Sequence, residues 1–176
     1  MVHGRHVIPL LLAACAAVTF AGGCAADKPD TDTMGTVTSL HATQTGSKVD
    51  DWKITFQDAQ LGTDKGEDNL MVTLRLENTG GQPMMPDLQV EATQSDRPLS
   101  EGVPHADSPL ADLWSQSTTT PQMIPAGQAD EFTTCFETDS RQPVTVTVAN
   151  PTDNGETVTG IITIPEEGET NAEETR

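Results

Sequence analysis

The stretch NLMVTLRLEN, residues 69–78, decides the fold class, because aliphatic residues occupy every second position along it. Its aliphatic face comprises Leu70, Val72, Leu74 and Leu76. Its opposite face comprises Met71, Thr73, Arg75 and Glu77. A period of two residues is typical of a β-strand that buries one face, so this segment predicts a half-buried strand.

Segments on both sides of this strand show the same period. They are residues 52–60, 87–94, 130–138, 143–150 and 157–165. Turn-forming residues separate them, and the pair Asn154-Gly155 before the last segment is typical of a β-hairpin. The pattern therefore predicts an all-β antiparallel sandwich over residues 50–165. Residues 36–42 or 110–115 are candidates for a seventh strand.

The composition fits a small β-protein. Hydrophobic residues make up 35% of the 176-residue chain, which allows one modest core. There are two Trp, four Phe and no Tyr, whereas Thr is abundant. A core of Val, Ile and Leu with Thr on the wet face is typical of strands.

The first 23 residues are interpreted as a secretory signal peptide. MVHGRH is short and mildly basic, and VIPLLLAACAAVTFAGG is apolar and rich in small residues. No charged stop-transfer flank follows this run. A transmembrane anchor needs about 20 apolar residues, so cleavage is the expected outcome.

The leader ends at a cysteine. Ala21, Gly22 and Gly23 precede Cys24, and small residues before a Cys resemble the lipobox of bacterial lipoproteins, whose Cys sulfur carries a diacylglyceryl group. We therefore expect lipidation at Cys24. Two alternatives stay open. LAAC, ending at Cys15, fits the lipobox consensus but leaves a short apolar run, and ordinary secretion would lipidate neither cysteine.

The chain beyond the leader is strongly acidic. All 27 Asp and Glu lie at or after Asp27, which gives a formal charge of −19 there. Such a surface repels phosphate backbones and anionic headgroups, so nucleic acid is not an expected partner and acyl chains must supply the membrane attachment. Residues 24–49 are predicted to be a flexible tether, and residues 166–176 a disordered acidic tail.

One long connection, residues 95–121, breaks the alternation. Its SPLADLWSQ segment predicts a short helix with Ser108 as N-cap and Pro109 at the first helical position. Long loops in compact domains often carry function, and this one supplies the candidate binding residues Leu110, Leu113 and Trp114. The preferred interpretation of this loop is that these side chains plug one end of the sandwich, and partner contact is the alternative.

The sequence offers little for catalysis or metal binding. His105 and Asp107 supply two ligands at most, whereas zinc sites use three or four. Cys135 lies in an alternating segment without a basic neighbour, so we expect a buried, unreactive thiol. The acidic stretches 30–33 and 64–69 lack EF-hand spacing, although a loosely built Ca²⁺ site between loops stays open. We predict no cofactor, no resident metal and no enzymatic activity.

Several segments together resemble the Ig-like domains of unknown function in Gram-positive surface lipoproteins, which are similar in fold to the immunoprotective extracellular protein of mycobacteria. The resemblance is carried by VDDWKITFQDAQLG, NLMVTLRLENTGGQP, MIPAGQADEFTTCFE and PVTVTVAN, and it covers about two thirds of the chain. It implies an immunoglobulin-like sandwich on the extracytoplasmic side of the cell membrane. The family has no agreed enzymatic activity, so no catalytic residue carries over.

Two functions are therefore hypotheses. The first is a non-enzymatic, lipid-anchored surface protein that binds a protein or an envelope component through its edge strands or the 95–121 connection. The second is an accessory lipoprotein that binds a small ligand or a metal for a transport system.

Overall fold

The computed structural model describes residues 35–64, 67–152 and 155–166. The predicted signal peptide, Cys24 and the tail from residue 167 lie outside the described residues. The elements are β1 (Thr36–Leu40), β2 (Ala42–Thr45), β3 (Lys48–Val49), β4 (Trp52–Asp64), β5 (Glu67–Asn78), β6 (Gln89–Gln94), β7 (Arg97–Pro98), α1 (Ala111–Gln116), β8 (Ala129–Thr138), β9 (Val144–Ala149) and β10 (Thr157–Ile162).

The strands form two antiparallel sheets. Sheet A has the order β1-β4-β5-β8, with β3 also paired to β4, and sheet B has the order β2-β10-β9-β6-β7. The predicted all-β sandwich is confirmed. The order in sheet A follows the chain, whereas the ABED sheet of an immunoglobulin domain does not. The immunoglobulin-like arrangement that the resemblance implies is therefore not confirmed.

The hydrophobic core lies between the two sheets. The aliphatic face predicted for residues 69–78 is buried in β5, with Leu70, Val72 and Leu74 at 0% exposure. Alternate residues of β9 complete the core from sheet B, because Val144, Val146 and Val148 are also fully buried. The period of two in the sequence thus predicted which residues of β5 and β9 face the core.

Strand β4 is longer than predicted and changes its inward face midway. It pairs with β5 up to Asp64, with a register shift between Phe56 and Asp58. Trp52 and Ile54 are buried before the shift, whereas Ala59 and Leu61 are buried after it. One extra residue at a β-bulge moves the inward set by one position, so simple alternation fails beyond the bulge.

Residues 36–49 were predicted to belong to the flexible tether, and this assignment is corrected by the structure. β1 pairs with β4 in sheet A, and β2 pairs with β10 in sheet B. The Gln44 amide joins the two sheets, since Oε1 accepts a hydrogen bond from Phe56 N (3.0 Å) and Nε2 donates to Ile54 O (2.9 Å). Most residues of β1 and β2 are exposed or half-buried, so backbone pairing and the buried Leu40 hold these strands in place.

Candidate functional site

The connection between β7 and β8, residues 99–128, is called the strap. It leaves sheet B where Leu99 N donates to Ala92 O (2.9 Å). It then passes the edge of β8 and crosses sheet A, and it pairs near its end with the segment before β6 through a bridge between Met84 and Ile124. The strap therefore contacts both sheets and contains all three predicted binding residues.

The first part of the strap follows the outer edge of β8. Glu137 N donates to Ser100 O and Gly102 N donates to Cys135 O, both at 3.0 Å. On its return the strap accepts a third bond at Thr118 O, from Thr133 N (2.8 Å). These bonds occupy three of the backbone groups that β8 directs away from β5, so the strap covers this stretch of the edge and obstructs the addition of another strand.

Leu110 anchors the strap on sheet A. It is fully buried, yet it lies outside the core cluster between the sheets. A Cβ placed on Gly62 would lie 2.6 Å from Leu110 Cγ, and Gly62 points outward because its neighbour Leu61 points into the core. The preferred interpretation that Leu110 plugs an end of the sandwich is therefore corrected: Leu110 packs on the outer face of sheet A.

The predicted short helix is present as α1, but its start differs from the prediction. Leu110 occupies the N-cap position and no side chain caps the helix. Ser108 Oγ accepts a hydrogen bond from Leu110 N (3.3 Å), which forms a turn before the helix instead. Beyond the anchor, Leu113 is 38% exposed and Trp114 is half-buried. The helix thus presents part of its apolar surface to solvent.

Cys135 lies in β8 opposite Met71 of β5, and both side chains are buried. Burial raises the pKa of the Cys135 thiol to about 12, because desolvation disfavours the thiolate. The expectation of a buried thiol is confirmed. A protonated, enclosed thiol is a poor nucleophile.

A polar groove of about 490 Å³ lies between the ends of β5 and β8 and the first part of the strap. Asp68 pairs with Arg141 there (3.1 Å), and their side chains are only 13% and 20% exposed. His105 lines the groove together with Glu137 and Asp139. The structure thus brings His105 toward carboxylates distant in sequence.

Neither a metal centre nor a membrane-spanning helix is found in the part of the chain that the structure describes. No three His, Cys, Asp or Glu side chains in residues 35–64, 67–152 and 155–166 come together as a ligand set. Within the same ranges no helix is long and apolar enough to cross a bilayer.

Comparison with known proteins gives one structural match. No family model and no curated sequence matches the chain. The fold is similar to the crystal structure of a "putative lipoprotein (ycdA)" from Bacillus subtilis subsp. subtilis str. 168, with a TM-score of 0.51 and 18% identity. The match covers 72% of this chain and 40% of that one. At this identity the likeness is one of fold.

Sequence reasoning singled out the segment that contains the helix but did not predict its contacts. Alternation assigned Met71 and Cys135 to an outward face, and nothing local indicated that the strap buries them. The available signal was their apolar character at outward positions. Gly62 was overlooked because a glycine in a strand becomes meaningful only when a neighbour such as Leu110 approaches it.

Proposed function

We propose that this protein is a lipid-anchored, extracytoplasmic binding module without enzymatic activity. The observation that carries the proposal is the run Ala21-Gly22-Gly23-Cys24 directly ahead of a chain segment that enters a β-sandwich. A fold similar to that of a protein described as a "putative lipoprotein" supports it. Two acyl chains on one cysteine hold a domain on a bilayer even when anionic headgroups repel the negative charge of that domain.

The binding role is assigned to the strap and the adjoining edge of sheet A. Leu113 and Trp114 lie on a helix that Leu110 fixes to the sheet, so the contact residues sit on a positioned element. Apolar side chains that are partly exposed on such an element are typical of partner contacts. The buried, protonated Cys135 supports a non-catalytic role.

The anchoring is tested by metabolic labelling with palmitate and by membrane fractionation of cysteine variants. Cys24→Ala is expected to lose the label and to leave the membrane fraction. Cys15→Ala and Cys135→Ala are the matched controls, and both are expected to retain label and membrane association. A Cys24→Ala chain that remains labelled and membrane-bound would refute the proposal.

The accessory role for a small ligand is a second candidate, and the groove beside His105 favours it. The groove combines carboxylates with one imidazole, which suits a small cationic ligand. A thermal-shift series with divalent cations and small amines tests this role. Stabilisation that His105→Ala or Glu137→Gln abolishes supports it, and the absence of any shift rules it out.

A further inference from the structure

We infer that the edge of β1 is a docking site for an extended, basic peptide strand of a partner protein. This inference deepens the proposed binding function and rests on it. β-Strand addition needs an accessible sheet edge whose backbone groups are unpaired. The edges of this sandwich differ in how well they meet that requirement.

The other edges are closed or short. The strap occupies the outer edge of β8 through Ser100, Gly102 and Thr118. β7 has two residues, and one of them is Pro98, which has no N–H to donate. β2 has four residues, and its Gln44 side chain is bonded to β4.

β1 lacks the usual protections of an edge strand. Its sequence, TVTSL, contains no proline and no charged residue, and its register with β4 has no bulge. Among the residues that the structure describes, β1 has a ladder partner on its β4 side alone. Its β-branched residues favour the extended conformation that strand addition requires.

The ladder geometry identifies which backbone groups are available. Ile54 N donates to Ser47 O, so Ile54 turns its backbone groups away from β5. Backbone direction alternates along a strand, and the extra residue at the bulge shifts this alternation by one position. The N–H and C=O groups of Leu61 therefore also point away from β5, toward its partner Thr38 in β1. The intervening residues Val37 and Ser39 therefore direct their N–H and C=O groups outward.

The surroundings of this edge indicate a basic partner. Gly35 lies against the strap, since a Cβ there would be 2.9 Å from Pro109 Cδ, and α1 follows directly with Asp112 in its first turn. The part of the strap that follows Pro109, residues 110–116, contains Asp112 and no Lys or Arg. Glu101 lies at the opposite edge of sheet A, beside β8. The Val37 side chain is 41% exposed, and it shares the outer face with Gly62, its register partner. A strand that alternates apolar and basic residues matches this combination of charge and apolar surface.

The test is titration of the purified full chain with a short synthetic peptide in which Lys and Val alternate, against a control peptide with Glu for Lys. The Lys peptide is expected to bind with a salt-sensitive affinity at least about 10-fold higher than the Glu peptide. Val37→Pro removes the outward N–H without removing a bond to β4, so affinity should fall about 10-fold. Val37→Thr keeps the N–H and should bind within about 2-fold of wild type.

Thermal melts of both variants establish that the fold is kept, and Ser39→Pro is the second test if Val37→Pro fails to fold. Equal binding of the two peptides, or unchanged affinity in a folded proline variant, overturns the inference. A dimer that Val37→Pro dissociates also overturns it, because a second copy would then occupy the edge. Palmitate labelling of Val37→Pro should be unchanged, so failure here is distinguishable from failure of the anchoring proposal.

Discussion

The outer faces of the two sheets follow the same alternation, yet one is covered and the other is not. On sheet A, the outward positions include Gly62, Met71 and Cys135, and the strap buries them. On sheet B, the outward residues of β9 are Thr145, Thr147 and Ala149, and all three are partly exposed. The inward faces of both sheets are aliphatic, so the two sheets differ in their outer faces.

This contrast shows what a cover requires. Thr tolerates water and packs well beside Thr on a strand, so the outer face of sheet B stays exposed, including Ile161 at 44%. Exposure of Met and Cys side chains to water is unfavourable, so a segment that buries them stabilises the protein. Gly62 leaves the space that Leu110 fills. Sheet A therefore carries a second, smaller core that positions α1.

The largest expected effect comes from removing the anchor of that second core. Leu110→Ala should lower the free energy of unfolding by about 3 kcal/mol, because it deletes a fully buried side chain and leaves a cavity over Gly62. Urea unfolding followed by circular dichroism measures the loss. Leu113→Ala is the control on the same helix and should cost less than about 1 kcal/mol. Equal losses would mean that the strap is not fixed at Leu110.

A reciprocal substitution compares the two outer faces directly. Met71→Thr should destabilise the protein by about 2 kcal/mol, since it removes apolar contacts and buries a hydroxyl beneath the strap. Thr147→Met, at an outward position of sheet B, should change stability by no more than about 0.5 kcal/mol. Chemical unfolding midpoints give both values. A costly Thr147→Met would contradict the view that sheet B has a solvated outer face.

The smallest expected effect, over the range pH 8 to 10, is a pH dependence that Cys135 gives to the covered face. The thiol pKa is about 12 in the folded state against 9.0 as its ordinary value, so the unfolded chain loses this proton first. Stability from this group is complete below pH 9 and falls as pH rises toward 12, by about 1 kcal/mol per pH unit. The chain has no Tyr that would titrate in the same range.

The measurement is urea unfolding at pH 8, 9 and 10 for wild type and Cys135→Ala. The wild type should lose stability more steeply above pH 9 than the alanine variant, whose other titrating groups are the same. Identical slopes would show that the thiol is not held in its protonated form by burial.

Much of the sandwich could be predicted because its strands alternate strictly. The segments around Leu74, Val146 and Ile162 were assigned from period alone, and all three residues are buried. The bulge after Phe56 could not be predicted, since no local residue type demands it. β1 was no more than one of two candidates for a seventh strand and β2 was not singled out, because Thr and Ser show no hydrophobic period and the ladder partners of both strands lie elsewhere in the chain.

The residues of the candidate site could be singled out from the sequence, but their packing partners could not be predicted. Leu110, Leu113 and Trp114 were singled out together, and the structure separates them into a buried Leu110, a half-buried Trp114 and an exposed Leu113. Helical spacing could not reveal this separation, because it depends on Gly62 in a strand nearly fifty positions earlier along the chain. The open edge of β1 was equally hidden, because an edge exists only once the order of the strands is known.

The early start of β1 has a consequence for reach. Only residues 25–35 separate Cys24 from Thr36, and a chain of that length spans at most about 40 Å when fully stretched. If the domain is anchored as proposed, so short a linker confines it to a narrow layer next to the bilayer surface. Its partners would then be ectodomains that extend no further from the bilayer than that layer.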